Sequence, residues 1–352
     1  FPLRQEKSNL SDNVYDAEKI ADLFTSFKTE APVELLFLKC LEKIELFTQP
    51  ADDTNIVESP FFTVKLSDEC LPTVRKKRSD FHNVMKQTGL TILDKTNTEM
   101  FNLTINTEDN QGNNEAKTWF VVHCLKGKPL SDELIALSQD EALSYSPYVS
   151  IAVPMSNDED FKGHVFCLMP LPLEEKSLTG YPVHVNGLFA LNQSRRFVKW
   201  PSADQTQNNT HTNKAIKWNT CLLTEVLFDV YRTVIQHLIE QATADNFSEE
   251  SIQRMYRSIP DMRKINSNWD RILDPLFQSL IQMPFLYSSN KGGSWMLPSQ
   301  AIFKIFPGQD TLDVENAILS LTREYGINLV EVPEHITLML KERGITIRTL
   351  SR

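Results

Sequence analysis

The feature that most constrains this sequence is a long amphipathic pattern over residues 217–241. Seven apolar residues recur in it at helical spacing and form one continuous stripe: Leu222, Leu223, Val226, Leu227, Val230, Val234 and Leu238. Such a stripe predicts a long helix that buries one face in a core. The chain of 352 residues is 41% hydrophobic, which is enough to supply that core and to build two or three domains.

Short extended segments alternate with helical patterns before this helix. Helices are predicted over residues 14–27, 32–41, 73–87 and 132–143, and strands over residues 44–48, 61–66, 100–105, 118–125, 148–153, 164–169 and 182–191. A polar stretch over residues 106–117 predicts a long hairpin tip, and another over residues 202–213 predicts a surface loop. The alternation predicts a mixed α/β (α+β) fold rather than an all-β fold.

Helical patterns dominate beyond residue 244. Helices are expected over residues 248–257, 268–282, 311–325 and 333–343, with short strands at residues 285–287, 296–305 and 327–330. The sequence therefore predicts three consecutive regions. They are an α/β region at residues 1–147, a second α/β region with the long helix at residues 148–244, and a mainly helical region at residues 245–352.

The net charge favours proteins as partners. The chain has 36 basic and 46 acidic residues and a formal net charge of −10. Nucleic acids and anionic membranes attract clustered positive charge, so neither is expected as a partner. The basic run at residues 75–78 could bind polyanions, but its place in a predicted helix favours a solvated face. No apolar run approaches the roughly 20 residues that cross a bilayer, so no membrane span is expected.

The cysteines indicate a reducing compartment. Five widely spaced cysteines include no C-x-x-C pair, so neither a disulfide framework nor a zinc site is expected. Five N-x-S/T triplets would suit a secreted protein, but such triplets also arise by chance in chains rich in Asn and Thr. We therefore expect a cytoplasmic protein.

The scarcity of glycine argues against a nucleotide site. Phosphate-binding loops need closely spaced glycines, because only a bare backbone can approach the anion. The eleven glycines are scattered apart from the neighbours Gly292 and Gly293, and the seven histidines lack metal-ligand spacing. We expect no catalytic residue, no metal and no cofactor in this chain, and hence no enzyme activity of its own.

Three short patterns have ordinary structural explanations. Residues 288–291 fit S-x-x-K, but the pattern is common by chance and the adjacent glycines indicate a turn. The acidic residues 158–160 could bind a hard cation, yet a solvated loop is favoured without a second ligand cluster. His123 and Cys124 are neighbours on a predicted strand, so their side chains point to opposite faces and are unsuited to act as a catalytic pair.

The block at residues 163–204 carries the main functional signal. Its aromatic residues, with one just before it, could stack bases, but their alternation along strands favours a core: Phe161, Phe166, Tyr181, Phe189, Phe197 and Trp200. Arg195 and Arg196 follow a predicted Asn186-Gly187 turn and could grip a phosphate from a neighbouring domain. The alternative for this pair is a surface or interdomain salt bridge.

This block, together with Lys217-Trp218-Asn219 and the helix that follows, resembles the sacsin repeating region. The similarity is most specific at Pro170-Leu171-Pro172, at PVHVNG over residues 182–187 and at Arg195-Arg196. The sequence FPLR at residues 1–4 resembles the junction at which the ATPase domain of such a repeat ends. We therefore expect the chain to start just after that domain.

The resemblance implies a role in a giant cytoplasmic co-chaperone. In that family several repeats are combined with a J domain that engages seventy-kilodalton heat-shock chaperones. Each repeat opens with an ATPase domain related to those of ninety-kilodalton heat-shock chaperones, gyrase and mismatch-repair proteins. The α/β part of this chain would resemble the middle domain of such GHKL-type ATPases. ATP would bind only with the upstream domain, and the partners would be heat-shock chaperones and client proteins.

Two functional hypotheses follow from the resemblance. The leading one is a non-catalytic chaperone or scaffold module that couples an upstream ATPase domain to downstream helices. The alternative is an ATPase half-site, in which Arg195 or Arg196 senses the terminal phosphate and Asn186 and Gly187 form the turn that supports them. A nucleic-acid-binding module is a third hypothesis, and it predicts steep salt dependence of binding.

Overall fold

The fold is mixed α/β, as the sequence predicts. The structure is a computed structural model and describes residues 16–47, 59–89, 91–158, 161–172, 174–201, 210–304, 317, 320–322 and 324–349. Its helices are α1 (Ala17–Glu34), α2 (Leu71–Thr88), α3 (Asp132–Ser138), α4 (Thr210–Cys221), α5 (Phe228–Ala244), α6 (Glu249–Arg257), α7 (Leu273–Leu280) and α8 (Glu334–Glu342). The predicted FPLR junction at residues 1–4, most of the predicted loop 202–213 and most of the predicted helix 311–325 lie outside the described residues.

The strands are short, apart from one long pair. They are β1 (Lys43–Leu46), β2 (Phe62–Leu66), β3 (Asn97–Asp109), β4 (Asn114–Leu125), β5 (Tyr148–Pro154), β6 (Val165–Cys167), β7 (Met169–Pro170), β8 (His184–Gly187), β9 (Leu286–Ser288), β10 (Ser294–Met296), β11 (Ile302–Phe303) and β12 (Leu329–Val330). The strands predicted over residues 44–48, 61–66 and 148–153 are confirmed as β1, β2 and β5.

The chain divides into two compact units, each assembled from separate segments. The first comprises Phe1–His82, Met100–Val121 and Pro154–Ser156, and the second comprises Asn83–Glu99, Val122–Val153 and Asn157–Arg352. The three consecutive regions inferred from the sequence stay a prediction.

The first unit contains α1, most of α2 and an antiparallel sheet. Strand β2 pairs antiparallel with both β1 and β3. The residues Phe62, Val64 and Leu66 of β2 are at most 5% exposed, because alternate residues of a strand share one face. The ring of Phe27 on α1 packs edge-on against Phe62 with 6.3 Å between centroids. Helix α1 therefore covers this face of β2.

The basic run at residues 75–78 lies on α2 and takes part in packing. Arg75 is exposed and forms a two-point ion pair with Glu42, with N–O distances of 2.8 and 2.7 Å. Arg78 is 5% exposed, and its Nη2 donates to the carbonyl oxygens of Leu35 and Leu36 at 2.6 and 3.1 Å. The interpretation as a solvated face therefore fits Arg75 and is wrong for Arg78.

Helix α1 replaces two predicted helices. The sequence predicted helices over residues 14–27 and 32–41, with Pro32 in the first turn of the second one. Instead Pro32 lies in the last turn of α1, where its missing N–H removes one helical hydrogen bond close to the end of the helix. Beyond the end of α1, Leu35 and Leu36 are fully buried, and their carbonyl oxygens bond to Arg78 rather than to a further helical turn.

Strands β3 and β4 form a hairpin with a short tip, so the predicted long tip at residues 106–117 is wrong. Asp109 closes the turn, since its Oδ1 accepts from the backbone N–H groups of Gln111 and Asn113, both at 2.9 Å. Gly112 supplies the positive φ of 83° that the turn needs. Because the Asp109 side chain stabilises a tight turn, the polar residues on either side of it belong to β3 and β4 rather than to a long loop.

The second unit combines a mixed sheet with the long helix and the C-terminal helices. Its strands follow the order β4, β5, β8, β6, β7. Strand β8 pairs antiparallel with β5 and parallel with β6. Two small pairs, β9 with β10 and β11 with β12, accompany the C-terminal helices. Within the described residues, no helix is both long and apolar enough to cross a membrane.

The predicted long helix is confirmed and begins earlier than expected. Helices α4 and α5 are joined by a π-helical segment, Leu222–Leu227, so helical backbone runs from residue 210 to residue 244. All seven residues of the predicted apolar stripe are at most 2% exposed. The helix is therefore the central core element of the second unit.

Candidate functional site

Arg195 and Arg196 lie at the tip of a small hairpin formed by residues 191–198, which we call the arginine hairpin. Its stem is a bridge between Leu191 and Val198 and a hydrogen bond from the Asn192 N–H to the Phe197 carbonyl at 2.8 Å. Both arginines are exposed. The hairpin thus presents the two guanidinium groups at a surface of the second unit.

The Asn192 side chain shapes the tip of the hairpin. Its Oδ1 accepts hydrogen bonds from the backbone N–H groups of Arg196 and Phe197 at 3.0 and 3.2 Å, and from Ser194 Oγ at 3.1 Å. Arg195 has a φ of 57°, which is uncommon for a residue with a side chain. The bonds around Asn192 therefore hold a backbone conformation that Arg195 would seldom adopt by itself.

Two side chains of α4 hold the segment that carries the hairpin. Asn219 is fully buried; its Oδ1 accepts from the Ala190 N–H at 2.8 Å, and its Nδ2 donates to the carbonyl oxygens of Ala190 and Lys199 at 2.9 and 2.8 Å. Trp218 Nε1 donates to the Leu188 carbonyl at 2.8 Å. Both ends of the hairpin segment are therefore bonded to the long helix, an arrangement that we call the helix clamp.

An aromatic cluster lies beside the helix clamp. The ring of Trp269 meets those of Tyr181, Phe189 and Trp200 nearly edge-on, with centroids 6.0, 5.5 and 5.4 Å apart. Tyr181 Oη also donates to the Trp269 carbonyl, and Tyr181, Phe189 and Trp269 are at most 2% exposed. The predicted core position is confirmed for Phe166, Tyr181 and Phe189, which are buried, whereas Phe161, Phe197 and Trp200 are half-buried.

The two arginines have different electrostatic surroundings. Arg196 pairs with Glu174, and both side chains are about half exposed, so the pair contributes little to stability. Arg195 lies close to Tyr145: burial raises the pKa of the Tyr145 hydroxyl, Cys167 adds to this, and the Arg195 guanidinium opposes it. Within the part of the chain that the structure describes, Arg195 has no salt bridge. Arg195 is thus the better placed of the two to meet an anion.

Asn186 and Gly187 do not form the predicted turn beneath the arginines. Both belong to β8, where they oppose Ser150 and Val149 of β5, so the prediction of a turn there is wrong. Asn186 is fully buried; its Nδ2 donates to Tyr148 Oη at 2.9 Å and its Oδ1 accepts from the Leu168 N–H at 2.8 Å. These tertiary bonds and the sheet pairing outweigh the local turn preference of Asn-Gly.

Comparison with curated proteins gives one clear similarity. Human sacsin is 29% identical to this chain over 352 aligned residues, which cover 96% of the chain and 7% of sacsin. The chain therefore resembles a sacsin repeat region. Neither a family profile nor a solved structure matches it.

The helix clamp holds the later part of the sacsin-like block, which spans residues 163–204. Trp218 and Asn219, which follow the block in sequence, bond to the backbone at its end. Gly163, at its start, carries no side chain because a Cβ there would overlap the carbonyl oxygens of Tyr181 and Val183. The two parts of the sacsin-like motif are thus one packed assembly.

The sequence patterns did not predict the buried polar network around His123. His123 Nδ1 lies 3.0 Å from Tyr148 Oη and 2.5 Å from Ser150 Oγ, and Ser150 Oγ donates to Tyr148 Oη at 2.6 Å. Asn186 completes the network, and all four residues are at most 5% exposed. Because all four side chains are buried, we interpret the network as part of the packing of the sheet. Polar residues within otherwise apolar strands, such as Ser150 and Asn186, which oppose each other on β5 and β8, were the signal that could have revealed it.

Cys124 and the acidic residues 158–160 are the remaining chemical candidates from the sequence. Cys124 is 3% exposed, and burial raises the pKa of its thiol to about 11, which keeps it protonated and unreactive. It therefore forms no nucleophilic pair with His123. Of the acidic residues 158–160 that were considered for a cation site, Asp158 is described, whereas residues 159–160 lie outside the described residues. Among the residues that the structure places, no group of three or more His, Cys, Asp or Glu side chains could hold a metal ion.

Proposed function

We propose that this chain is a non-catalytic coupling module of a sacsin-type repeat, acting as a chaperone or scaffold segment between an upstream ATPase domain and the C-terminal helices. The helix clamp is the observation that supports this proposal. It bonds an exposed arginine-bearing hairpin to the buried helix of the second unit through Trp218 and Asn219. A displacement of the hairpin would therefore act directly on the long helix.

The long helix is in turn bonded to the C-terminal part of the second unit. Tyr231 on α5 is fully buried, and its hydroxyl donates to the carbonyl oxygen of Ser258, at the end of α6, at 2.9 Å. Tyr181, in the sacsin-like block, donates to Trp269 just before α7. These bonds support a continuous route from the hairpin to α6 and α7. A tightly packed interior transmits such displacements because it has low compressibility.

The module acts in this proposal as part of a longer protein. The chain spans 7% of the length of the curated relative that it matches, so an ATPase domain, heat-shock chaperones and client proteins enter as proposed partners, and the cytoplasm as the proposed compartment. The chain itself hydrolyses no ATP under this proposal.

Breaking the helix clamp in a protein that includes the upstream domain tests the coupling. Asn219→Ala should leave ATP binding unchanged and remove the difference in amide hydrogen exchange that α6 and α7 show between ATP and ADP. Thr220→Ala is the matched control, because its hydroxyl donates within α4, to the Ile216 carbonyl at 3.0 Å, and bonds to no other element among the described residues. An undiminished nucleotide-dependent difference in Asn219→Ala would contradict the proposal, as would ATP turnover by this chain alone.

Phosphate sensing by Arg195 is the second candidate function. It is favoured by the exposed position of Arg195 at the hairpin tip, in contrast to Arg196, which pairs with Glu174. In the same extended protein, Arg195→Ala should lower ATP turnover by about 10-fold or more, as loss of a charge-stabilising group does, while Arg196→Ala should have a small effect. Equal ATP turnover in the wild type and both variants would exclude phosphate sensing. The coupling proposal would be unaffected, because the hydrogen-exchange experiment tests it separately.

A further inference from the structure

A cavity in the second unit lies apart from the arginine hairpin. Its volume is about 590 Å³, within the range of about 300–1,000 Å³ that is usual for ligand sites. It lies between the start of α6, the segment after β9 and the segment around β12. The residues that line it and matter here are Phe247, Gln253, Tyr287, Ser288, Asn290 and Leu329.

Aromatic rings form one wall of the cavity. The rings of Phe247 and Tyr287 stack at 30° with centroids 5.2 Å apart, and Trp295 packs behind them, 5.7 Å from Tyr287. Asn246 and Phe247 both have positive φ angles, 53° and 58°, which are outliers for such side chains. The chain leaves α5 in this conformation and thereby places the Phe247 ring against Tyr287. Strained backbone held by its surroundings is a recurring feature of ligand sites.

A residue with an unsatisfied acceptor also lines the cavity. Asn290 is 8% exposed; its Nδ2 donates to the Ile327 carbonyl at 3.3 Å, while its Oδ1 is buried without a donor among the residues that the structure describes. Buried polar atoms are normally paired, so an incoming N–H or O–H group would satisfy this oxygen. The S-x-x-K pattern of residues 288–291 lies here and forms a short 3₁₀ turn, as the sequence analysis favoured.

The charges around the cavity disfavour an anionic occupant. Two carboxylates, from Glu249 and Glu331, and one ammonium group, from Lys304, line it. Lys304 is already paired with Glu331 at 3.0 Å, which leaves Glu249 at the exposed start of α6. A negatively charged ligand would be repelled, whereas an uncharged one would keep the existing ion pair intact.

We propose that this cavity binds a short uncharged peptide segment of a partner protein, with an apolar side chain against Phe247, Tyr287 and Leu329 and a main-chain N–H donated to Asn290 Oδ1. An apolar wall with one fixed polar group is the usual composition of a specific ligand site. The proposal goes beyond the coupling role and does not depend on the arginine hairpin. It assigns to the chain a direct contact with partner polypeptides.

Titration of the isotope-labelled chain with defined peptides tests this proposal by NMR. The probe is acetyl-Ala-Leu-Ala-amide, and its anionic counterpart is the same peptide with a free carboxylate. The neutral peptide should shift the signals of Phe247, Tyr287 and Asn290 saturably, and the acid should bind about threefold more weakly because of the carboxylate of Glu249. Equal or tighter binding of the acid, or no saturable shift, would overturn the proposal.

Two variants separate this site from a generic apolar cavity. Asn290→Leu should weaken binding of the neutral peptide about tenfold, because the N–H would lose its acceptor on burial. Gln253→Trp should block the cavity from its exposed side without altering the core, and Glu250→Trp, on the same helix but outside the cavity, is its matched control. Unchanged binding in Asn290→Leu or Gln253→Trp would exclude the site. Circular dichroism checks that each variant is folded. If Asn290→Leu does not fold, Gln253→Trp alone decides the test.

Discussion

Two fully buried asparagines organise the sacsin-like block at the scale of single residues. Asn219 bonds three backbone groups of the segment that carries the arginine hairpin, and Asn186 joins β8 to Tyr148 and to the Leu168 N–H. Each amide uses both its donor and its acceptor side. Buried amides stabilise a fold only when they are satisfied in this way, because an unpaired buried group is costly.

Replacement of Asn186 should therefore destabilise the second unit. Asn186→Ala removes two hydrogen bonds and leaves the Leu168 N–H without its acceptor, so we expect the free energy of unfolding to fall by about 2–3 kcal/mol. Ser194→Ala, which removes one exposed hydrogen bond to Asn192, is the control and should change it by less than about 0.5 kcal/mol. Urea unfolding followed by circular dichroism measures both. Equal stability of the two variants would contradict this account of Asn186.

The loop between β7 and β8 shows how close packing fixes a connection at the scale of elements. Gly180 has a φ of 82°, and a Cβ at this position would overlap the carbonyl oxygen of Lys264 in the 3₁₀ helix Met262–Lys264. The Asn266 side chain also donates to the Leu178 carbonyl across the same contact. The loop and the segment before α7 therefore pack backbone against backbone, which only glycine permits.

A pair of glycine variants tests this contact. Gly112 has nearly the same φ, 83°, but a Cβ there would meet nothing within 4 Å. Both Gly180→Ala and Gly112→Ala incur the cost of a left-handed alanine, about 1 kcal/mol, so the difference between them reports the overlap with Lys264. We expect Gly180→Ala to lower the thermal midpoint by several degrees more than Gly112→Ala. Equal shifts in differential scanning calorimetry would rule out the close approach.

Histidines make the stability of the whole molecule depend on pH. Burial lowers the pKa of His184 well below its usual value of 6.5, and burial also lowers the pKa values of His164, His237 and His335. Near pH 6.5 the histidines of the unfolded chain therefore bind protons, whereas those of the folded chain stay neutral. Stability is thus fully present above pH 6.5 and falls as the pH drops below that value.

The expected result is a loss of stability between pH 6.5 and 5, before most carboxylates titrate. Each fully shifted histidine contributes a slope of up to about 1.4 kcal/mol per pH unit. In His184→Gln the slope should be smaller by up to that amount, whereas Lys65→Gln, a substitution on β2, should leave it unchanged. Urea unfolding at a series of pH values measures the slopes. A free energy of unfolding that is independent of pH in this window would refute the assignment.

The sequence by itself determined the mixed α/β class and the long central helix of this protein. Periodicity placed the long helix and its seven buried residues, because a repeated apolar stripe needs no knowledge of its partner. Phe166, Tyr181 and Phe189 were correctly assigned to a core, and a surface position was among the interpretations of the arginine pair. These conclusions rest on patterns within one segment.

Only the tertiary structure decided where the polar side chains act. Asn219 meets Ala190 across 29 positions, and Asn186 meets Tyr148 across 38, so the clamp and the strand that replaced the predicted Asn-Gly turn depend on contacts between distant segments. The cavity beside Asn290 likewise needs Ile327, 37 positions away. A local pattern encodes which face of an element is buried, whereas the partner of a buried polar group is chosen by the assembled fold.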